Sequence, residues 1–174
     1  AVNPTSVMGA TKRLCELNLR AFADLADRKR TGQKFLAVRF GNVIGSSGSV
    51  VPLFREQIAR GGPVTVTHKD VTRYFMAGSE AVELIIQSAA WSEGGETFQL
   101  DMGEPVSIQR LAKEMVKLAG LSVRDEDHPD GDIAIEFTGL RPGEKLHEEL
   151  WYDANATRST AHPKIMMVQR QTDA

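Results

Sequence analysis

Residues 34–49, KFLAVRFGNVIGSSGS, decide the architecture. KFLAVRF is short and almost wholly apolar, the composition of a strand buried on both faces of a parallel sheet. Gly41, Gly45 and Gly48 follow it, and a helix then runs from about Val50 to Arg60, where Gly61-Gly62-Pro63 halts it. The spacing is G-x-x-x-G-x-x-G rather than G-x-G-x-x-G. No acidic residue ends a following strand about 20 residues on, where a ribose would need one, so this is not a dinucleotide pyrophosphate fingerprint. Two readings remain. A glycine-rich loop at the carboxyl end of a strand lets backbone amides approach a phosphate or sugar, and it can equally be a flexible turn. Spacing alone leaves the two level.

Before this stretch, a helix is expected from Pro4 and Thr5 or Ser6 to about Arg30. Ala10, Leu14, Leu17, Ala21 and Leu25 recur at three- and four-residue steps, Lys29 and Arg30 fall in the last turn, and Gly32 stops it. After it, VTVT is a strand and HKDVTRYFM a polar loop. Ser79 caps a helix through Trp91, TFQLDM is a strand, and Ser107 caps a helix ending at Gly120. IAIEF is a further strand, GLRPGEKLHEEL a turn leading into a short helix, and the tail after Trp151 has no pattern. Helices alternating with apolar strands give an α/β fold with a mainly parallel sheet. Only two or three strands are available to the sheet that the first helix should cover. The sequence therefore reads as the carboxy-terminal piece of a longer protein.

The composition narrows the function. The 174 residues are 41% hydrophobic and 25% charged, with a formal net charge of −2, which leaves no basic field for nucleic acid or an anionic membrane. The longest apolar runs, such as AVELIIQSAAW, are too short to span a bilayer. The single cysteine, Cys15, excludes an internal disulfide and a cysteine-based zinc cluster, and is expected as a small buried hydrophobe in the first helix. His68, His128, His147 and His162 are scattered singly, so no metal site is expected. DEDHPDGD, residues 125–132, lacks the ligand pattern of a calcium loop and reads as solvated.

Three segments carry candidate chemistry. In PTSVMGATKR, residues 4–13, Met8 and Lys12 are spaced like the acid/base Tyr and Lys of Tyr-x-x-x-Lys enzymes, but Met cannot move a proton. In RPGEK, residues 141–145, Arg141 has the chemistry to clamp a phosphate and Glu144 to accept ribose hydroxyls, or the two form a surface ion pair. Arg73 lies among Val71, Tyr74 and Phe75, where its charge needs an anionic partner, a protein carboxylate or a ligand phosphate.

PTSVMGATKRLCE, VRFGNVIGSSGSVVPLF, VTRYFM and TGLRPGEKLHEEL occur here in the order found in bacterial nucleotide-sugar 4,6-dehydratases. The chain resembles the CapD-like polysaccharide biosynthesis proteins of the extended short-chain dehydrogenase/reductase superfamily, over essentially its whole length to about Leu150. The resemblance implies the carboxy-terminal part of a Rossmann-like fold, an incomplete parallel sheet plus a small substrate-binding lobe. Residues 1–60 would complete the NAD-binding domain and 61–150 form the UDP-sugar lobe, with a strand at about 97–102 returning to the main sheet and 151–174 as a tail. The family's reaction uses NAD, rather than NADP, to oxidise carbon 4 of UDP-N-acetylglucosamine. Water is eliminated across carbons 5 and 6, and a 4-keto-6-deoxy sugar nucleotide results.

By position, the resemblance makes Lys12 the nicotinamide-ribose ligand and puts Met8 in the Tyr place, as in the large membrane-anchored members. There an Asp-Lys pair upstream of this segment takes the acid/base work, so this chain alone is expected to be inactive. Phe40 and Val43 would line the nicotinamide, with Asn42 on the sugar nucleotide. Ser49, Val50 and Thr65 would border the uridine, Arg73 and Arg141 bind the diphosphate, and Glu144 the uridine ribose. The resemblance also implies a homo-oligomer in full-length form and a cytoplasmic location, with no nucleic-acid partner, no metal and no membrane contact by this chain. A UDP-sugar epimerase on the same scaffold and a non-catalytic UDP-sugar-binding module are the alternatives.

Overall fold

The computed structural model describes residues 2–150 and 157–169. In chain order the elements are α1 (Val7–Arg28), β1 (Ala37–Arg39), β2 (Asn42–Val43), α2 (Val50–Ala59), β3 (Val64–Val66), β4 (Thr72–Arg73) and β5 (Phe75–Met76). They continue with α3 (Gly78–Trp91), β6 (Thr97–Leu100), β7 (Val106–Ser107), α4 (Ile108–Leu118), β8 (Val123–Arg124), β9 (Ile133–Phe137), β10 (Thr157–Ser159) and β11 (Ile165–Val168). The chain folds into two compact units. One comprises Ala1–Gly41, Ala77–Gly103 and Glu149–Ala174, the other Asn42–Met76 and Glu104–Glu148. The chain thus crosses between units four times.

In the first unit, β1 and β6 pair in parallel with Val38 opposite Phe98, and β11 and β10 extend the sheet antiparallel in the order β1-β6-β11-β10. Phe98, Leu100 and Ile165 are fully buried there, and Leu84 of α3 is nearly so. The tail, in which the sequence shows no pattern, contributes β10 and β11. Ile165–Val168 is only four residues, too short to show periodicity, and its pairing partner β6 lies far away in sequence.

α1 overturns the sequence reading in a more informative way. Ser6 caps it, its hydroxyl accepting from the Gly9 amide at 3.1 Å. The anticipated apolar stripe of Ala10, Leu14, Leu17, Ala21 and Leu25 is entirely exposed. The covered face is instead Ser6, Gly9, Arg13, Glu16, Leu19, Arg20, Ala23 and Ala26, also at helical spacing but mostly small or polar. Cys15, expected to be buried, is likewise exposed, because it lies off that face.

The second unit has a nine-residue buried core. Phe54 and Ile58 of α2, Val64 and Val66 of β3, and Val71 meet Ile108, Ala112 and Val116 of α4 and Ile133 of β9. The α4 residues recur every four positions, and Ser107 starts the helix by accepting from the Arg110 amide. β3, β9 and β8 form a parallel sheet beneath these helices. HKDVTRYFM, expected as a polar loop, contributes the two-residue strands β4 and β5. β5 pairs with β2 and β4 with β7. The short helix expected after RPGEK is absent. The Thr72 amide and Arg73 guanidinium take the Leu146 carbonyl, and the Thr72 hydroxyl takes His147, so that backbone is held by tertiary bonds instead. Ser79 is not a cap either. α3 starts at Gly78 after Ala77, without a side-chain cap.

Candidate functional site

The candidate residues of the first unit lie along α1 and just after β1. Met8 is 67% exposed, and its carbonyl accepts from the Thr11 hydroxyl. Lys12, one turn on, is exposed, and its ammonium makes no hydrogen bond or ion pair among the described residues. Both side chains flank the covered face of α1, on the side away from the apolar stripe. Phe40 follows β1 and is 37% exposed. The next residue, Gly41, donates its amide to the Met102 sulfur at 3.4 Å.

Sequence reasoning missed the strongest electrostatic feature of this unit. Arg39 Nε donates to Glu16 Oε1 at 2.7 Å, Arg39 Nη2 to Oε2 at 2.8 Å, and Arg13 Nη1 to Oε2 at 3.1 Å. The Arg39 and Glu16 side chains are 11% and 10% exposed. Burial pushes the Glu16 carboxyl up, but the hydrogen-bond donors around it, the Arg39 fork foremost and Arg13 among them, outweigh it and bring it down to about 2. The signal was present as a Lys-x-x-x-Glu spacing on α1 and an arginine in an apolar strand, but no local pattern links residues 23 apart.

In the second unit, Asn42 and Val43 form β2 opposite Phe75 and Met76 of β5. The Asn42 amide N–H donates to the Tyr74 carbonyl, while its side chain makes no hydrogen bond among the described residues. The glycine loop then turns with Gly45 and Gly48 in the left-handed region, at φ 75° and 73°, which favours glycine. It delivers Ser49 to the N-cap position of α2, where the hydroxyl is buried without a hydrogen-bond partner among the described residues and does not cap the helix. Val50 is partly buried against the core cluster. On β3, Thr65 is gripped by Gln57 of α2. The Gln57 Nε2 donates to its hydroxyl at 2.7 Å, and its amide donates to Gln57 Oε1 at 3.0 Å.

Arg73 and Glu144 are brought together. Arg73 Nη2 meets Glu144 Oε1 at 3.1 Å, Nε lies 3.7 Å from Glu148 Oε1, and Nη1 donates to the carbonyls of Thr72 and Leu146. Glu144 also accepts the Thr67 hydroxyl on Oε1 and the Arg141 amide on Oε2. The anionic partner required by Arg73 is thus a protein carboxylate. Arg141 is different. Its backbone closes the turn, but its guanidinium is exposed and unpaired among the described residues. The expected Arg141–Glu144 surface ion pair is absent, and Arg141 is left as a cation without a protein counter-charge among those residues.

Among the described residues, no three His, Cys, Asp or Glu side chains gather to hold a metal, and no helix is long and apolar enough to cross a membrane. A cleft of about 520 Å³ at the carboxy-terminal end of α1, lined by Asp24, Asp27, Arg30, Lys34 and Glu93 among others, contains none of the candidate residues.

The family model described as "Polysaccharide biosynthesis protein" matches residues 1–170. The chain is 54% identical over 150 residues to the "Capsular polysaccharide biosynthesis protein CapD" of Staphylococcus aureus, covering 86% of this chain and 23% of that protein. It is 31% identical to the "UDP-N-acetylglucosamine 4,6-dehydratase (inverting)" of Campylobacter jejuni and 34% identical to a "UDP-glucose 4-epimerase" of Rickettsia typhi. These matches cover 85% and 86% of this chain and 40% of each relative. The chain therefore spans between 23% and 40% of the length of these relatives.

The structure named "Pen" from Bacillus thuringiensis is similar over 99% of this chain and 50% of its own, with TM-score 0.81 and 33% identity. A UDP-glucose 4-epimerase of Thermus thermophilus, solved with NAD, shares the fold at TM-score 0.65 and 20% identity, over 86% of this chain and 46% of its own. The chain belongs to the polysaccharide biosynthesis protein family, as a CapD-like member with the α/β fold of the extended short-chain dehydrogenases/reductases.

Proposed function

We propose that this chain supplies the UDP-sugar site of an NAD-dependent nucleotide-sugar 4,6-dehydratase acting on UDP-N-acetylglucosamine in bacterial polysaccharide biosynthesis. The observation that carries the reading is the contrast between the two arginines. Arg73 is held by Glu144 and Glu148 on a built framework, while Arg141 projects an unpaired guanidinium from the turn that the same Glu144 closes. A diphosphate is the ligand that a free planar cation beside a pre-ordered one suits best. Glu144 keeps acceptor capacity on Oε2 for a ribose hydroxyl. Asn42 offers an uncommitted amide to the sugar, and the unpartnered Ser49 hydroxyl and the Gln57-held Thr65 fit a uridine edge.

The residues present also fit NAD. Lys12 keeps an ammonium that is uncommitted among the described residues on an exposed helix flank, the donor that a nicotinamide ribose needs, with Phe40 of the same unit as an apolar neighbour of the ring. When bound, NAD supplies the hydride acceptor and donor. Lys12 binds and orients the ribose, and its positive charge favours nearby anionic groups. Met8 moves no proton, so the proton of the sugar 4-hydroxyl passes to a group other than the residue in the Tyr place. The lack of a proton-moving side chain at the Tyr place favours the dehydratase over the epimerase reading.

Calorimetric titration of UDP and of UDP-N-acetylglucosamine tests the reading. Both are expected to bind, and Arg141→Ala to weaken both by about 1.5 to 3 kcal/mol, the loss of a hydrogen bond to a charged group. Equal binding by the native and Arg141→Ala chains would remove Arg141 from the site. Inversion at carbon 4 without a 4-keto-6-deoxy product from the whole enzyme would favour the epimerase.

A further inference from the structure

The Glu16 carboxylate sits one helical turn after Lys12, at the i,i+4 spacing at which a helical lysine and glutamate meet. A carboxylate only 10% exposed, with its oxygens open, would draw that ammonium in. It does not do so here, because Arg39 at the end of β1 takes both oxygens with its fork and Arg13 takes Oε2 again. All four residues belong to the same compact unit.

We propose that Arg39 is a positioning residue that keeps the Lys12 ammonium free for its ligand by sequestering Glu16. The inference rests on the reading of Lys12 as a ribose-binding cation, but its physical content, competition between Arg39 and Lys12 for one carboxylate, stands on the structure. A lysine in place of Arg39 would reach only one oxygen at a time and leave the other to Lys12.

The competition can be read without any nucleotide. Brief acetylation of the folded chain with an N-hydroxysuccinimide ester, followed by peptide mass spectrometry, gives the rate at Lys12 relative to the exposed Lys69. An amine engaged by a carboxylate reacts more slowly. The Lys12/Lys69 ratio is expected to fall about threefold in Arg39→Leu, the scale of a partly exposed ion pair. It should recover in the double variant Arg39→Leu/Glu16→Gln, where no carboxylate remains to hold Lys12. A purely structural ion pair would leave the ratio unchanged in both.

An unchanged ratio in folded Arg39→Leu, or no recovery in the double variant, overturns the proposal. Circular dichroism shows whether Arg39→Leu folds. If it does not, Arg39→Lys decides, with a smaller fall expected and no fall overturning the idea. NAD titration of the native chain is a separate arm. Failure to bind there counts against the functional reading of Lys12, while the ratio still decides whether Arg39 shields it.

Discussion

Arg73 and Arg141 are both candidate diphosphate ligands, yet their surroundings assign them different failures. Arg73 is 15% exposed and tied to two carboxylates and two carbonyls. Arg73→Ala removes the guanidinium that both Glu144 and Glu148 approach, and is expected to lower stability by about 3 kcal/mol as well as to remove ligand binding. Arg141→Ala removes no side-chain contact among the described residues and should leave the melting temperature within about a degree while weakening UDP, as for a surface substitution. Thermal melts alongside calorimetry separate the two, and a destabilised Arg141→Ala would show that its guanidinium is structural. At the same scale, Glu16 sets an acid limit. Its carboxyl falls from 4.5 to about 2 in the folded chain, so its contribution is complete above about pH 4.5. It is lost progressively as the pH drops toward 2, when the folded carboxyl also takes up a proton. Glu16→Gln should flatten the stability profile across that window, as measured by urea unfolding at each pH.

Two devices hold the second unit's elements in place. α4 begins at Ser107, whose hydroxyl satisfies the Arg110 amide, and Ser107→Ala should cost about 1 kcal/mol, a few degrees in a thermal melt. The turn between β8 and β9 depends on a close backbone approach at Gly131. A Cβ there would lie 2.5 Å from the Val123 carbonyl oxygen and 2.6 Å from the Arg124 nitrogen. Neither backbone atom can move without parting the strands, so Gly131→Ala should cost about 2 to 3 kcal/mol. A Gly131→Ala chain that melts like the native one would mean that this turn is free to rearrange. The Ser107 cap and the helix that follows it are legible in the sequence, since Ser opens a run with apolar residues every fourth position. The Gly131 contact is not, because it arises between a loop and a strand that meet only when folded.

Across the whole chain, the last described strand is as much a part of the first unit as the strands that the sequence announced. Ile165 is fully buried, and β11 pairs with β6 along three residues. Ile165→Ala should therefore cost about 2 to 5 kcal/mol, the range for truncating a core aliphatic side chain. A cost under about 1 kcal/mol, measured by denaturant unfolding, would mean that β11 is an ornament on the sheet. The same strand illustrates why topology exceeded the sequence. Its four apolar residues carry no periodicity, and the decision to pair antiparallel with β6 rests on a partner far away along the chain.

The local sequence was sufficient for the elements whose signals are periodic or capped. α1, α2, α4, β1, β3, β6 and β9 all lie where spacing, caps and apolar runs put them. It was also sufficient for the family, through four ordered motifs. Folding settled what depends on distant partners. It covered the Ser6-Gly9-Arg13-Glu16 face of α1 and left the apolar stripe exposed, and on that face Glu16 meets the Arg39 fork, a partner that no helical period encodes. It drew the RPGEK turn onto β4 in place of a helix, because Thr72 and Arg73 claim the Leu146 carbonyl just after it. It also separated Arg73, with carboxylates around it, from Arg141, with none among the described residues. Hydrophobic spacing reports which residues prefer burial, whereas charge pairing and strand pairing are set by residues that become neighbours only once the chain has closed.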